Sequence, residues 1–306
     1  MLDCVVVGGG PAGLTAAIYL ARFHLDVRVV DAGNSRAAMI PMTRNHAGFP
    51  DGIAGADLLD RMRTQARLYG ATLIQSDVTG LEAAVDGLRV MIGGDVVTTR
   101  SVLLATGVVN RRPPMSDDLH DAALARGLLR YCPICDGYEV TDRRVAVLGT
   151  GDHGTREALF LRGYTGDVTL IAPDGEHDLA PAERALLAQC GVAMVDGPAT
   201  AFAIDGDTIG LRTPERDWRF DSLYPALGSD INSGLAAGLG AARSDEGCLL
   251  VDAHQRTNVA RLYAAGDVVK GLDQISHAMG EGGVAATTIR NDLAQERALL
   301  RAMPPR

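Results

Sequence analysis

The sequence predicts an α/β protein built around two βαβ units whose strands are parallel. Each unit combines a short β-branched run, a glycine-rich turn and a helix-length amphipathic segment, at residues 3–33 and 143–175. Alternation of such runs with helices is typical of a parallel sheet covered by helices. The composition agrees, since the chain has 36 glycines and only 4% aromatic residues.

The first unit carries the glycine spacing of a dinucleotide-binding turn. After the apolar run Val5–Val7, Gly8 makes the turn, Gly10 lets backbone approach a pyrophosphate, and Gly13 lets the helix pack closely on the strand. The helix N-terminus offers N–H groups to a diphosphate. Asp31, at the end of the next apolar run, is placed to accept hydrogen bonds from a ribose. These residues predict a bound dinucleotide.

The remaining segments extend this pattern. Residues 72–106 and 192–225 show strand-like alternation, and residues 261–300 predict one strand, a glycine-rich turn and a long helix. The short sequences ATG (105–107) and AAGD (264–267) follow apolar runs and end where backbone could approach a flat ligand.

Charge and hydropathy exclude several classes of function. The net charge of −9 and the pI near 5.2 argue against a nucleic-acid or anionic-membrane partner. No apolar run approaches the roughly 20 residues of a membrane span. The N-terminal residues show no basic segment or cleavage site of a signal peptide, so a cytoplasmic location is expected.

Cys132 and Cys135 form a CxxC pair that is followed directly by Asp136. A structural zinc site requires a second ligand pair, and the sequence contains no second CxxC and no closely spaced histidine pair, so no metal is expected. A redox dithiol explains the spacing better than coincidence does, because two intervening residues let the sulfurs bridge and a following helix N-terminus favours the thiolate. Asp136 is a candidate general acid, or alternatively a helix cap.

Several motifs together resemble the flavoprotein disulfide reductases, and in particular the low-molecular-weight bacterial thioredoxin reductase type. They are VVVGGGPAGLTAAIYLAR at the N-terminus, NHAGFPDGIAGADLLDRMRTQARLYGA at 45–71, LLATG at 103–107, CPICDG at 132–137, LYAAGDV at 262–268 and QISHAMGEGGVAATTI at 274–289. The resemblance implies two Rossmann-like, three-layer dinucleotide-binding domains. An FAD domain at 1–113 and 246–306 would be split around an inserted pyridine-nucleotide-type domain at 114–245 that carries the dithiol. It also implies a homodimer.

The resemblance further implies which residues hold FAD. The expected cofactor-binding set is Gly8, Gly10, Pro11, Ala12, Gly13, Asp31, Asn45, Ala105, Gly107, Gly266, Asp267, Gln274, Ile275 and Ser276. Within this set, Asn45 is expected near the flavin, and Asp267 in the ribityl-phosphate region. His277 would lie close to the flavin pyrimidine, as a charge-stabilising group, a base towards a thiol, or a packed surface residue.

The resemblance also implies separate roles for the two cysteines. Cys135 would lie next to the flavin, and Cys132 would attack the external disulfide. Asp136 matches the acid that follows the family's motif. The expected acceptor is thioredoxin or a similar protein or small-molecule disulfide.

The second glycine turn departs from the family. Gly149, Gly151 and Gly154 have dinucleotide-binding spacing, but the next strand is followed by Ala-Pro-Asp where the family has an arginine-rich clamp for the NADPH 2′-phosphate. Asp174 would accept from a free 2′-hydroxyl and repel a 2′-phosphate. The bulky His153 lies inside the turn. NAD(P)H use therefore stays open between NADH, a non-nicotinamide donor such as ferredoxin, and a unit that binds no nucleotide.

These observations predict an FAD-dependent thiol-disulfide oxidoreductase. Electrons would pass through FAD and the Cys132–Cys135 pair to a disulfide. The alternative is a flavin-dependent dithiol oxidase, in which a small dithiol is oxidised and oxygen is converted to hydrogen peroxide.

Overall fold

The computed structural model describes residues 1–300. The strands are β1 (Leu2–Val7), β2 (Val27–Asp31), β3 (Thr72–Gln75), β4 (Val78–Ala84), β5 (Gly87–Ile92), β6 (Asp95–Leu104), β7 (Val108–Asn110), β8 (Arg144–Leu148), β9 (Asp167–Ile171), β10 (Ala193–Val195), β11 (Thr200–Asp205), β12 (Thr208–Arg212), β13 (Asp217–Phe220), β14 (Ser222–Pro225), β15 (Ser229–Ile231) and β16 (Leu262–Ala264). The α-helices are α1 (Pro11–Arg22), α2 (Gly55–Leu68), α3 (Asp117–Ala125), α4 (Pro133–Asp136), α5 (Gly151–Leu161), α6 (Pro181–Gln189), α7 (Gly234–Ala237) and α8 (Ile275–Glu296). Short 3-10 helices cover Arg36–Met39 and Gly137–Val140.

The chain divides into two compact units. Unit 1 comprises Met1–Met39, Ile53–Val109 and the chain from Ile231 onward, and unit 2 comprises Ile40–Gly52 and Asn110–Asp230. The segment Ile40–Gly52 thus groups with the dithiol segment, and the second boundary falls at 230–231, whereas the sequence suggested 245–246.

Unit 1 is built on a seven-stranded sheet in the order β3-β2-β1-β6-β5-β4, with β16 also pairing with β6. The pairs β1–β2, β1–β6, β2–β3 and β6–β16 are parallel, while β4, β5 and β6 form an antiparallel meander. The carboxyl ends of β1, β2, β6 and β16 therefore lie along one edge of the sheet, where ligands bind in open parallel sheets.

Small residues bring α1 and α8 of unit 1 close together. A Cβ added at Gly282 of α8 would lie 2.3 Å from the carbonyl oxygen of Ala12 in α1. Ala16, Ala285 and Ala286 are fully buried in the same hydrophobic cluster. This close packing holds the N-terminus of α1 at the carboxyl edge of the sheet.

Unit 2 contains a four-stranded sheet in the order β10-β9-β8-β14, in which all three pairs are parallel. A separate antiparallel sheet joins β11, β12 and β13. The predicted α/β class with two Rossmann-like units is confirmed, since β1-α1-β2 and β8-α5-β9 are both parallel βαβ units. In the part of the chain that the structure describes, no helix is long and apolar enough to cross a membrane.

Candidate active site

The first glycine turn closes tightly between β1 and α1. Gly8 has φ +109°, and a Cβ there would lie 2.2 Å from the carbonyl oxygen of Ala105. A Cβ on Gly13 would lie 2.0 Å from the carbonyl oxygen of Gly8. Gly10 precedes α1 with no side-chain cap, and Pro11 is the first helical residue. The first-turn N–H groups of α1 are therefore left for a ligand rather than for a capping side chain.

Asp31 lies directly beside this turn. A Cβ on Gly9 would lie 2.2 Å from Asp31 Oδ2, so only glycine fits between the carboxyl group and the turn. Asp31 Oδ1 accepts a hydrogen bond of 3.1 Å from the Gly33 N–H, and Nη2 of Arg63 lies 3.6 Å from Oδ2. The carboxylate is fixed at the end of β2, where the sequence places a ribose acceptor.

A charged cluster surrounds Asp267 in unit 1. Nη1 of Arg36 donates to Oδ2 of Asp267 at 3.2 Å and to Oδ2 of Asp273 at 2.9 Å. Burial and the nearby charge of Asp267 raise the pKa of Asp273, although Arg36 opposes this shift. Sequence reasoning missed Arg36, because a single arginine after a strand carries no spacing signal.

The Gly266–Asp267 turn is also fixed from α8. The Gly266 N–H donates to Oε2 of Glu281 at 2.7 Å, and Nε2 of His277 lies 3.1 Å from the other carboxyl oxygen. The structure therefore places His277 on the first turn of α8, paired with Glu281.

The remaining predicted FAD residues of unit 1 lie at the same edge of the sheet. The Ala105 N–H donates to the carbonyl oxygen of Val7 at 2.8 Å, and Gly107 has φ +62°. Gln274 precedes α8 without a side-chain cap, so Ile275 and Ser276 form its first turn. Ala12 packs against Gly266, where an added Cβ would lie 2.9 Å from its own Cβ.

This edge fits FAD. The glycines leave no room for side chains, α1 presents an uncapped N-terminus, and carboxylates flank the turn for ribose and ribityl hydroxyls.

Asn45 belongs to unit 2. Its Nδ2 donates to the carbonyl oxygen of Ile134 at 3.3 Å, and its Oδ1 accepts from the Thr43 hydroxyl at 3.1 Å. Arg44 Nε lies 3.5 Å from Oε1 of Glu139. The segment around Asn45 therefore packs against the dithiol loop.

Cys132 and Cys135 form a disulfide at the start of the short helix α4. Cys132 is the N-cap residue, and its Sγ accepts a hydrogen bond of 3.2 Å from the Cys135 N–H. Pro133 starts the helix. A backbone N–H aimed at Sγ stabilises a thiolate on Cys132 after reduction.

Asp136 is held from two sides at the end of α4. The Tyr224 hydroxyl donates to Oδ1 at 2.9 Å, and Arg130 Nη1 donates to Oδ2 at 3.0 Å. Arg130 is itself oriented by the carbonyl oxygen of Gly127, which its Nε contacts at 2.9 Å. Burial raises the pKa of Asp136, and the Arg130 charge and the Tyr224 hydrogen bond oppose this rise without cancelling it. A raised pKa favours the protonated form, which a general acid needs.

Two half-buried acids, Glu139 and Glu157, add negative charge near Asp136. Oε1 of Glu157 and Oε2 of Glu139 are buried and have no hydrogen-bond partner among residues 1–300. Burial, followed by the charge of Asp136, raises the pKa of Glu157 to about 7. Sequence reasoning missed Glu157, although an acid beside the buried face of an amphipathic helix was the available signal.

The second glycine turn is shaped like the first. A Cβ on Gly154 would lie 2.9 Å from the carbonyl carbon of Gly149, and Gly151 has φ +60°. Thr150 precedes α5 without a side-chain cap. Burial is the main factor that lowers the pKa of His153.

The loop after β9 differs from a phosphate clamp. Asp174 is exposed, and the buried His177 ring lies 3.3 Å from the Thr150 hydroxyl, which donates to the carbonyl oxygen of Asp178 at 3.3 Å. Arg184 of α6 donates to the carbonyl oxygen of His177 at 3.4 Å. Sequence reasoning missed Arg184, a cation that contacts this loop.

A family model described as pyridine nucleotide-disulphide oxidoreductase matches residues 2–282. The chain belongs to this family. A thioredoxin reductase of Streptomyces coelicolor is 31% identical over 287 residues, covering 87% of this chain and 86% of the relative. One from Mycolicibacterium smegmatis is 30% identical over 306 residues, covering 96% and 97%. The solved thioredoxin reductase of Streptococcus pyogenes aligns with TM-score 0.88 and 25% identity, covering 96% and 99%.

The predicted resemblance is thereby confirmed. The disulfide reductase is of the low-molecular-weight thioredoxin reductase type, and it is an FAD-dependent thiol-disulfide oxidoreductase.

Proposed function

We propose that this disulfide reductase transfers electrons to the disulfide of thioredoxin or of a similar protein or small molecule. The observation that carries the proposal is the Cys132–Cys135 disulfide, which is followed by a buried acid held by Tyr224 and Arg130. The thioredoxin reductases to which the chain is similar supply the acceptor class.

Unit 1 is proposed to hold the FAD. When bound, FAD accepts a hydride and supplies two electrons to a disulfide. The turn at Gly8, Gly10 and Gly13, with Pro11 and Ala12, would hold the diphosphate. Other proposed contacts of FAD are Asp31, Asn45, Ala105, Gly107, Gly266, Asp267, Gln274, Ile275 and Ser276. Arg36, which bridges Asp267 and Asp273, is added to this set as the group that orients Asp267.

The dithiol is proposed to act by exchange. Cys135 would face the flavin, and Cys132 would attack the external disulfide as a thiolate, which the Cys135 N–H contact stabilises. The mixed disulfide is then released when Cys135 attacks Cys132. Asp136 would give its proton to the departing thiolate, because its pKa is raised by burial.

The electron donor is proposed to lack a 2′-phosphate. Asp174 replaces the expected clamp, and a carboxylate repels a phosphate while accepting from a ribose hydroxyl. Arg184 is already directed to the carbonyl oxygen of His177. NADH at the Gly149–Gly154 turn of unit 2, or a non-nicotinamide donor, therefore fits better than NADPH.

The same loop favours a second candidate function, a dithiol oxidase. If the second turn binds no nucleotide, a small dithiol could give two electrons and two protons to the enzyme and leave as a disulfide. Oxygen would then accept these two electrons and two protons and leave as hydrogen peroxide. His277, paired with Glu281, would be the candidate base towards the thiol.

An anaerobic titration separates these functions. The purified holoenzyme is mixed in turn with NADH, NADPH and a small dithiol, and the flavin absorbance is followed. Bleaching by NADH at lower concentration than by NADPH supports the reductase with an NADH site. Bleaching by dithiol alone, with rapid recovery in air, supports the oxidase. Bleaching by NADPH at micromolar levels contradicts the role given to Asp174.

The assembly is proposed to be a cytoplasmic homodimer, as the family resemblance implies. Sedimentation of the holoenzyme at catalytic concentration tests this, since a monomer that turns over would contradict it.

A further inference from the structure

The backbone turn that follows β16 is held by a carboxyl group from α8. Oε2 of Glu281 accepts a hydrogen bond of 2.7 Å from the N–H of Gly266. Gly266 is buried and comes directly after Ala265, whose N–H donates to the carbonyl oxygen of Leu104 at 3.0 Å. A buried N–H beyond the end of a strand costs free energy unless it finds an acceptor. Glu281 provides that acceptor from 15 positions further along the chain.

This turn lies directly against the N-terminal end of α1. Gly266 has φ +79°, and a Cβ there would lie 2.9 Å from the Cβ of Ala12 in the first turn of α1. Gly282, next to Glu281 in α8, also packs closely on α1, since an added Cβ would lie 2.3 Å from the carbonyl oxygen of Ala12. Helix α8 therefore fixes the turn relative to the uncapped N-terminus of α1, where the FAD diphosphate is proposed to bind.

The second oxygen of Glu281 has a partner as well. Its Oε1 lies 3.1 Å from Nε2 of His277, one helical turn earlier in α8, and the side chain of Glu281 is only 11% exposed. The loop between β16 and α8 packs on this pair, because a Cβ added to Gly271 would lie 3.1 Å from Nε2 of His277. The carboxyl group is thus oriented through both of its oxygens.

An arginine fixes the side chain that follows the turn. Nη1 of Arg36 contacts carboxyl oxygens of Asp267 at 3.2 Å and of Asp273 at 2.9 Å. Arg36 thus holds the side chain of Asp267, whereas Glu281 holds the backbone directly before it. The turn is therefore held in one conformation before a ligand arrives, which reduces the entropy cost of binding that ligand.

We propose that Glu281 is a positioning residue for FAD, which holds the N–H of Gly266 so that the turn before Asp267 keeps the shape that FAD binds. This inference rests on the proposed function only for the placement of FAD in unit 1. It assigns a role to a carboxylate that neither the glycine turn between β1 and α1 nor the thiol exchange uses.

Two substitutions separate the hydrogen bond from the size of the side chain. In Glu281→Gln the amide oxygen can accept from the Gly266 N–H, and the amide N–H can donate to a neutral His277. Glu281→Met has a similar length but carries only a weak acceptor. The role proposed for Glu281 is therefore retained in the first variant and lost in the second.

The test measures FAD affinity without relying on turnover. Holoenzymes of the wild type and of both variants are diluted over a concentration series, released FAD is separated by ultrafiltration, and Kd is taken from the bound fraction. Glu281→Met should bind FAD roughly ten-fold more weakly than the wild type, the effect of losing a hydrogen bond to a charged acceptor. Glu281→Gln should stay within about three-fold of the wild type.

The comparison distinguishes positioning from a purely structural contact. A hydrogen bond that served the fold alone would be lost equally with and without FAD, so its removal would lower the melting temperature and leave Kd unchanged. Equal Kd values for Glu281→Gln and Glu281→Met overturn the proposal. Glu246→Met, at an exposed position of the same unit, is the control and should match the wild type.

A further variant keeps the test decisive if Glu281→Met does not fold. Glu281→Asp keeps the charge but is one methylene shorter, so its oxygens fall short of the Gly266 N–H. It should bind FAD several-fold more weakly than Glu281→Gln, and an affinity equal to that of the wild type overturns the proposal. A wild-type protein that takes up no FAD contradicts the proposed function instead.

Discussion

The Tyr224 hydroxyl donates a 2.9 Å hydrogen bond to Oδ1 of Asp136, the acid that directly follows the Cys132–Cys135 disulfide. Tyr224 lies in β14, and Asp136 ends α4, so a strand of the parallel sheet orients the acid of the dithiol loop. The hydroxyl stabilises the carboxylate, while burial favours the neutral acid. The balance between the two sets the pH at which Asp136 can donate.

Tyr224→Phe should move the alkaline limb of the pH–rate profile to higher pH, because Asp136 acts in its protonated form. The hydrogen bond from Tyr224 lowers the pKa of Asp136, so its loss lets burial raise that pKa further. The pH–rate profile of disulfide reduction measures the shift, with FAD content as a check that the protein is intact. An unmoved profile would show that Tyr224 does not control the ionisation of Asp136.

Asp136→Asn should lower kcat by about 100-fold, the lower end of what a general acid contributes. The asparagine keeps the size of the side chain but cannot supply the proton. Steady-state reduction of a disulfide substrate measures the loss, and Asp207→Asn, at an exposed site in unit 2, is the control. Near-normal activity of Asp136→Asn at neutral pH would contradict the role of Asp136 as the general acid.

Cys135→Ser should trap an intermediate. Without the second cysteine, a mixed disulfide between Cys132 and the substrate cannot be resolved, so a covalent adduct accumulates. Mass spectrometry after incubation with an oxidised thioredoxin detects it. Cys132→Ser is the matched variant and should form much less adduct. The opposite pattern would reverse the roles of the two cysteines.

Gly13→Ala should abolish FAD retention. Its new Cβ would lie 2.0 Å from the Gly8 carbonyl oxygen, so the turn must open or α1 must move away from β1. The ratio of flavin to protein absorbance after purification measures the loss. Gly234→Ala is the control, because no atom lies within 4 Å of the added Cβ. Full flavin content in Gly13→Ala would contradict the proposal that the glycine turn between β1 and α1 holds FAD.

Glu157→Gln should change stability with pH in a defined direction. The pKa of Glu157 rises from 4.5 to about 7 on folding, so the native state favours the protonated form. Its contribution is fully present below pH 4.5 and is lost as pH rises to about 7, amounting to roughly 3 kcal/mol at most. The glutamine variant should therefore melt near the wild type at pH 4.5 and above it at pH 8. An equal melting difference at both pH values would contradict the raised pKa of Glu157.

Local patterns allowed much of this molecule to be predicted. Gly8 and Gly13 are only a few positions apart in the chain, and so are Cys132 and Cys135. Each of these spacings has a direct steric or chemical meaning. The βαβ units followed from the periodicity of their apolar residues.

The polar surroundings of the site could not be predicted in this way. Arg130, Tyr224 and Glu157 come from a loop, a strand and a helix that only the tertiary fold brings to Asp136. Arg36 and Asp267 are separated by 231 positions in the chain. No periodicity in a single sequence encodes such pairs.

The most direct test of the central claim counts reducing equivalents. The holoenzyme and a Cys132→Ser/Cys135→Ser variant are titrated anaerobically with dithionite, and flavin absorbance and free thiols are recorded together. If Cys132–Cys135 is the redox partner of FAD, the wild type takes up one more two-electron equivalent than the variant and gains two thiols per chain. Equal uptake by both proteins, with no new thiols in the wild type, would contradict the account.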